Sequence, residues 1–184
     1  MLFIKNYFLK KIIPIIRNEW YRIESSILLE SKIVVEVLSF LKNHITTQYK
    51  NLICISGVDY PENLHRFTIV YELLSIKFNS RFRVKIMSDE LTPVTSAEGV
   101  FPSAAWWECE IWDMFGVFFE NHGNLVRLLT DYGFKGHPLR KDFPLMGFIE
   151  SRYNVVKNQV VYENLELAQE YRVFNYSTPW DKRD

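Results

Sequence analysis

The chain has 184 residues, the length of one domain with room for a tail. Its 22 basic and 22 acidic residues cancel to a net charge of +0, which disfavours nucleic-acid binding, because that draws its affinity from neutralised phosphates. Two cysteines, Cys54 and Cys109, are too few for a disulfide framework or, alone, for an iron–sulfur cluster with its usual four thiolates, and no apolar run reaches the roughly 18 to 20 residues that span a bilayer.

Residues 1–18 form a basic, apolar tail without acidic side chains, read either as a targeting segment or as a partner-bound amphipathic helix ended near Pro14. Residues 19–119 read as an α+β domain. Within it, residues 30–45 carry the helical period, with Val34, Val37, Leu38, Leu41 and Ile45 on one stripe and Ser31 as the expected N-cap. An apolar strand over residues 51–59 leads to a turn at Tyr60-Pro61-Glu62-Asn63. Phe67, Ile69, Tyr71 and Leu73 then alternate with Arg66, Thr68, Val70 and Glu72, the period of a half-buried strand. After a turn at Asn79-Ser80, Phe82, Val84 and Ile86 oppose Arg81, Arg83 and Lys85. That basic triplet reads as the solvated face of a strand, the sharper alternative being a site for an acidic partner. Short connections make these strands antiparallel neighbours. The expected fold is α+β: a small, mostly antiparallel sheet with flanking helices, followed by a long extended C-terminal segment.

A second helix starts at Pro102 and is stopped by Gly116, with Trp107, Ile111, Met114 and Phe118 on one face. Residues 120–184 show little periodicity but many aromatics, among them Tyr132, Phe143, Tyr153 and Trp180. A lone segment of that length without repeating elements is expected to be disordered, and its aromatics point instead to its lying against another protein. Aromatics make up 16% of the chain, which points to a large aromatic core and also to an interface.

Two stretches concentrate chemistry. The helix holds Glu108, Glu110 and Asp113, and the last two are three apart and share a face. Paired carboxylates beside tryptophans suit acid/base work or a hard metal ion. The favoured reading is structural, with ion pairs to Arg127, Arg140 or Lys141 across the fold. The second stretch is Asp131-Tyr132-Gly133-Phe134-Lys135-Gly136-His137-Pro138-Leu139-Arg140-Lys141-Asp142. Its glycines and Pro138 set an irregular path, and a charge network packed between aromatics makes sense where an interface closes over it. His137 and His122 are each read as structural hydrogen-bonding groups, with proton donation as the alternative. There is no Gly-rich phosphate loop, nucleophile elbow or HExxH motif, and nothing that would bind NADH, flavin or a cluster.

Trp107-Glu108-Cys109-Glu110-Ile111-Trp112-Asp113-Met114-Phe115-Gly116-Val117-Phe118-Phe119 resembles the family of the C subunit of bacterial NADH:quinone oxidoreductase, which has a counterpart in mitochondrial complex I. The likeness continues through His122, Arg127-Leu128-Leu129-Thr130-Asp131-Tyr132-Gly133-Phe134 and Gly136-His137-Pro138-Leu139-Arg140-Lys141-Asp142-Phe143-Pro144-Leu145, and more loosely through Arg152-Tyr153 and Pro179-Trp180. Upstream, Val58-Asp59-Tyr60-Pro61 also fits. The family usually carries Arg where Cys109 stands, Pro where Gly123 stands and Arg where Val126 stands.

The resemblance implies a structural subunit of the hydrophilic arm. Its partners there are the hydrogenase-like large subunit and the subunit holding the terminal iron–sulfur cluster, near the quinone site. It also implies that the chain binds no redox centre itself, although the complex uses FMN and iron–sulfur clusters. The implied location is the mitochondrial inner membrane, peripheral on the matrix side, and the abundance of Phe, Ile, Lys, Asn and Tyr suggests an organelle-encoded gene. Glu108, Glu110, Asp113, His122, Arg127, Asp131, His137, Arg140, Lys141 and Asp142 are then the family's motif residues, expected at a partner interface. The rival readings are a stand-alone acid/base or metal-dependent enzyme built on Glu108, Glu110, Asp113 and His137, and a same-family subunit of a hydrogenase-type or plastid-type complex.

Overall fold

The structure, a computed structural model, describes residues 13–21, 24–167, 169–174 and 180, so the first part of the expected tail lies outside the described residues. The chain divides into two compact units, Met1–Lys141 and Asp142–Asp184.

In the first unit, strands β1 (Arg17–Tyr21) and β2 (Glu24–Leu29) precede a 3-10 turn at Ser31–Ile33 and helix α1 (Val34–Asn43). Strands β3 (Asn51–Asp59), β4 (Phe67–Ser75) and β5 (Ser80–Ser88) follow, then β6 (Val94–Thr95), helix α2 (Ala104–Phe115) and β7 (Phe119–Glu120). The main sheet has the order β1-β2-β5-β4-β3. Its β1/β2, β3/β4 and β4/β5 pairs are antiparallel, as short connections require. β2 runs parallel to β5, a pairing possible only because the chain travels through α1, β3 and β4 before returning beside β2. The expected class, α+β with a mostly antiparallel sheet, is the one observed.

The alternation read in β4 and β5 sorts the sheet's two faces. Phe67, Ile69, Tyr71 and Leu73 are buried with Phe82, Val84 and Ile86. Arg81, Arg83 and Lys85 point the other way, with Arg83 paired to Glu72, its register partner on β4. The basic triplet is thus on the sheet's outer face. Each fully buried large side chain contributes roughly 1.5 to 3 kcal/mol through removal from water, and the core these residues build with Leu38 and Leu41 of α1 is continuous.

Three expectations are corrected here. First, α1 starts at Val34: Glu30 is extended, Ser31 belongs to the 3-10 turn, and no side chain caps the helix. The helix stops at Asn43, where the Thr47 hydroxyl and the Tyr49 N–H both turn back to the Leu41 carbonyl at 2.8 and 3.0 Å. Ile45 therefore lies beyond the helix and is exposed. Second, the core line of α2 is Ala104, Glu108, Ile111 and Phe115; of the expected face only Ile111 is buried, and Phe118 lies past the helix end and is exposed. α2 packs so closely on β3 that a Cβ at Gly57 would meet the Phe115 ring at 2.7 Å. Third, residues 120–141 are hydrogen-bonded to α2 and β3, although the extended segment was expected to start at Glu120.

The second unit contains an unanticipated hairpin of β8 (Ile149–Asn154) and β9 (Gln159–Asn164). Asn158 turns it with φ 49, and the Asn154 carboxamide oxygen accepts the Val156 and Lys157 N–H groups at 3.0 and 3.2 Å. Nearly every residue of both strands is exposed, so no buried side marks the period along the chain.

Candidate functional site

An α-helix leaves its last carbonyls without partners inside the helix, and α2 has these met by a strap formed by residues 122–141. Gly116 closes the helix in the left-handed region at φ 79, its N–H donating to the Ile111 and Trp112 carbonyls at 3.3 and 3.0 Å. The next three carbonyls are taken by the strap. His137 Nδ1 donates to Asp113 O at 3.0 Å, Leu139 N–H to Met114 O at 3.1 Å and Arg140 Nε to Phe115 O at 2.6 Å. A guanidinium at this end also complements the helix dipole. The approach is tight: a Cβ at Gly116 would lie 2.5 Å from His137 Nε2 and 2.7 Å from an Arg140 Nη2.

Asp113 organises the other half of the strap. Its Oδ2 accepts the N–H groups of Leu128, Leu129 and Thr130 at 3.1, 2.7 and 2.9 Å, and its Oδ1 accepts the Thr130 hydroxyl at 2.6 Å. Arg127 Nη1 stands 3.5 Å from Oδ1 and donates to Gly136 O at 3.0 Å. Burial pushes the Asp113 carboxyl up, but the bonds from residues 128–130 outweigh it and hold the group below the ordinary carboxylate range.

Glu108 lies on the same helix in a different setting. It is fully buried, with Oε2 accepting the Ser96 hydroxyl at 2.6 Å and Oε1 the Ala97 N–H at 2.7 Å. Burial raises its pKa above the ordinary range despite those bonds and the nearby His122. Burial, assisted by Glu108, also pushes the Tyr71 phenol far up. His122 Nε2 is 3.9 Å from Glu108 Oε2, while that nitrogen donates to Ala105 O at 3.1 Å and Nδ1 accepts the Asn124 N–H at 3.1 Å. The neutral tautomer, inferred from this network, satisfies both ring nitrogens. Cys109 sits beside it, Sγ 3.5 Å from Asn124 O. The Gly123 N–H donates to Glu98 at 2.8 Å, a bond that a proline at this position could not make.

A third cluster ties the strap's end to the sheet. Arg66 grips Asp59 through Nε and Nη2 at 2.7 and 3.0 Å and reaches Glu90 at 2.7 Å. Asp59 also accepts the Lys141 N–H at 2.8 Å, and Arg140 Nη1 is 3.6 Å from Glu90. The Arg66 guanidinium, with help from Lys141, holds the Asp59 carboxyl below its ordinary range.

Asp113, Arg127, His137 and Arg140, with the Lys141 backbone, thus meet around the end of α2, and Glu108 meets His122 on its other side. Glu110 is half-buried and does not join its expected partner Asp113. Asp131 is exposed in a turn, and Asp142 belongs to the second unit. Of the expected ion pairs only Arg127 with Asp113 forms; Arg140 faces Glu90 instead. Sequence reasoning missed Arg66, Glu90 and Ser96 as site residues, and singled out Asp59 and Thr130 only through the family likeness. Their one local signal is position at strand ends and turns, which many polar residues share. His137 serves as a donor to a helix carbonyl, and burial lowers its pKa. Among the described residues no three His, Cys, Asp or Glu side chains gather as a metal site, and no helix is long and apolar enough to cross a membrane.

This is an α+β domain whose most distinctive residues shape a strap around one helix end. Residues 27–148 match the family described as the respiratory-chain NADH dehydrogenase 30 kDa subunit, and the chain belongs to that family. It is 54% identical over 148 residues to the NADH dehydrogenase (ubiquinone) iron-sulfur protein 3 of Solanum tuberosum, covering 80% of this chain and 78% of that relative. It is 52% identical over 149 residues to the NADH-ubiquinone oxidoreductase subunit 9 of Reclinomonas americana, covering 81% and 73%. A chain of the archaeal membrane-bound sulfane sulfur reductase complex shares the fold, with TM-score 0.66 and 22% identity over 77% of this chain and 84% of that one. The chain is therefore a subunit of respiratory NADH:ubiquinone oxidoreductase, with other subunits of that complex as partners, and its plant and protist relatives place it with the mitochondrial enzyme.

Proposed function

We propose that this chain is a structural and assembly subunit of the hydrophilic arm. It packs beside the hydrogenase-like large subunit and the subunit holding the terminal iron–sulfur cluster, near the quinone site, and is peripheral on the matrix side of the inner membrane. We also infer that it holds no redox centre, although its relatives bear the words iron-sulfur in their names. The observation that carries this reading is how the motif residues are used: Asp113, His137 and Arg140 spend their hydrogen bonds on the chain's own backbone and so build a surface. With two cysteines in the sequence, a cluster's four thiolates would have to come largely from other chains.

Arg140→Ala tests it. Removing the guanidinium leaves the Phe115 carbonyl without its charged donor and Glu90 with Arg66 alone, a loss of about 2 kcal/mol, enough to lower abundance several-fold. On native gels of membranes, assembled complex should fall while turnover per assembled complex stays at the wild-type value. Normal assembly with slow turnover would instead favour a direct catalytic role. Metal or activity in the purified single chain would support the stand-alone enzyme.

A further inference from the structure

Between residues 128 and 132 the strap holds three large apolar side chains in water: Leu128 is 39% exposed, Leu129 62% and Tyr132 102%. Single exposed leucines are ordinary on a protein surface. These three differ in how their backbone is held. The N–H groups of Leu128 and Leu129 are pinned to buried Asp113. Tyr132 stands at the second position of a turn closed by the Phe134 N–H to Asp131 O at 3.1 Å, with Gly133 at φ 70 in the third position. A buried anion and a glycine turn together fix a loop whose apolar side chains face outward. Fixing a loop beforehand lowers the entropy lost on binding, and tyrosine is enriched among interface anchors.

Charge indicates what the loop meets. The exposed charges of residues 126–141 are Arg127, Lys135 and Lys141 against Asp131. We propose that Leu128, Leu129 and Tyr132 form an apolar knob that seats in an acidic-rimmed apolar pocket on another subunit of the same respiratory complex. A lipid surface suits it less well, because Asp131 sits between Leu129 and Tyr132, and a carboxylate opposes entry into hydrocarbon. The inference rests on the scaffold reading above and names the contact through which it acts.

The test places a photoreactive benzoylphenylalanine at position 132 of the full chain and irradiates the purified, assembled enzyme. The expected product is an adduct with a different subunit. An adduct with lipid or with a second copy of this chain, or none in an assembled enzyme, overturns the knob. A Leu129→Ala, Tyr132→Ala double variant should keep the wild-type melting temperature yet enter the complex at least about tenfold less well, as for loss of an interface anchor; wild-type incorporation overturns the proposal. Lys135→Glu should also lower incorporation, more so at low salt. If the wild-type chain itself fails to migrate with NADH-oxidising activity, the scaffold reading has failed; if it migrates and residue 132 gives no adduct, only the knob has.

Discussion

Two carboxylates on α2 are both fully buried yet respond to pH in opposite directions. Asp113 has its folded pKa depressed by residues 128–130, so its contribution to stability is present above the ordinary carboxylate range and fades as pH falls through the folded value. Asp113→Asn puts an amide where three N–H donors converge and should cost about 3 kcal/mol at neutral pH. In thermal unfolding of the full chain that deficit should shrink in acid. Glu108 is the reverse case. Burial raises its folded pKa, so its contribution is greatest below the ordinary range and is lost as pH rises through the folded value. Glu108→Gln keeps an oxygen for the Ala97 N–H and an amide for Ser96, which can accept. Its melting temperature relative to wild type should therefore climb between about pH 4 and pH 7, and a fall over that range would refute the assignment. The sequence made both residues visible as acidic; nothing local distinguishes the one that meets three N–H groups from the one that meets a hydroxyl and a single N–H.

At the scale of elements, the end of α2 depends on Gly116. A side chain there meets both the left-handed backbone, costing roughly 1 to 2 kcal/mol, and the His137 and Arg140 side chains. Gly116→Ala should thus lower stability and also speed amide exchange at Leu139, whose N–H caps Met114. Destabilisation without any change at Leu139 would mean that helix end and strap are not coupled. The glycine stop was legible because it is a local backbone demand. The face of α2 was not. Helical spacing fits both the expected Trp107 line and the observed Glu108 line, and the position of β3 decides between them. Ser31 failed as a cap for a related reason: Glu30 and the 3-10 turn carry the chain from β2 into α1 before the helix begins. The strands β4 and β5 were legible because the period of two holds wherever one face is buried.

At the scale of the molecule, the two units differ in how they are supported. The first closes a core between sheet and helices, while the hairpin of the second has an apolar side of Ile149, Tyr153, Val160 and Tyr162 left exposed. Its Arg152–Glu163 pair is exposed and adds little. Two strands alone are marginal in water, so a peptide of residues 142–174 should give a largely unordered circular dichroism spectrum without a cooperative melt. A sharp melt would show that the hairpin needs no support.

The sequence by itself determined the strands from β3 to β5, the interior of α1, the stop at Gly116 and, through residues 107–145, the family. Each rests on local periodicity, a backbone requirement or a run of uncommon residues. Only the tertiary structure decided that β2 lies parallel to β5, that the motif residues cap a helix, and that Glu108 and Asp113 differ. Those outcomes depend on satisfying buried polar groups with partners far along the chain, as when the Lys141 N–H meets Asp59 across 82 positions. Spacing in the sequence carries no record of which distant donor will arrive.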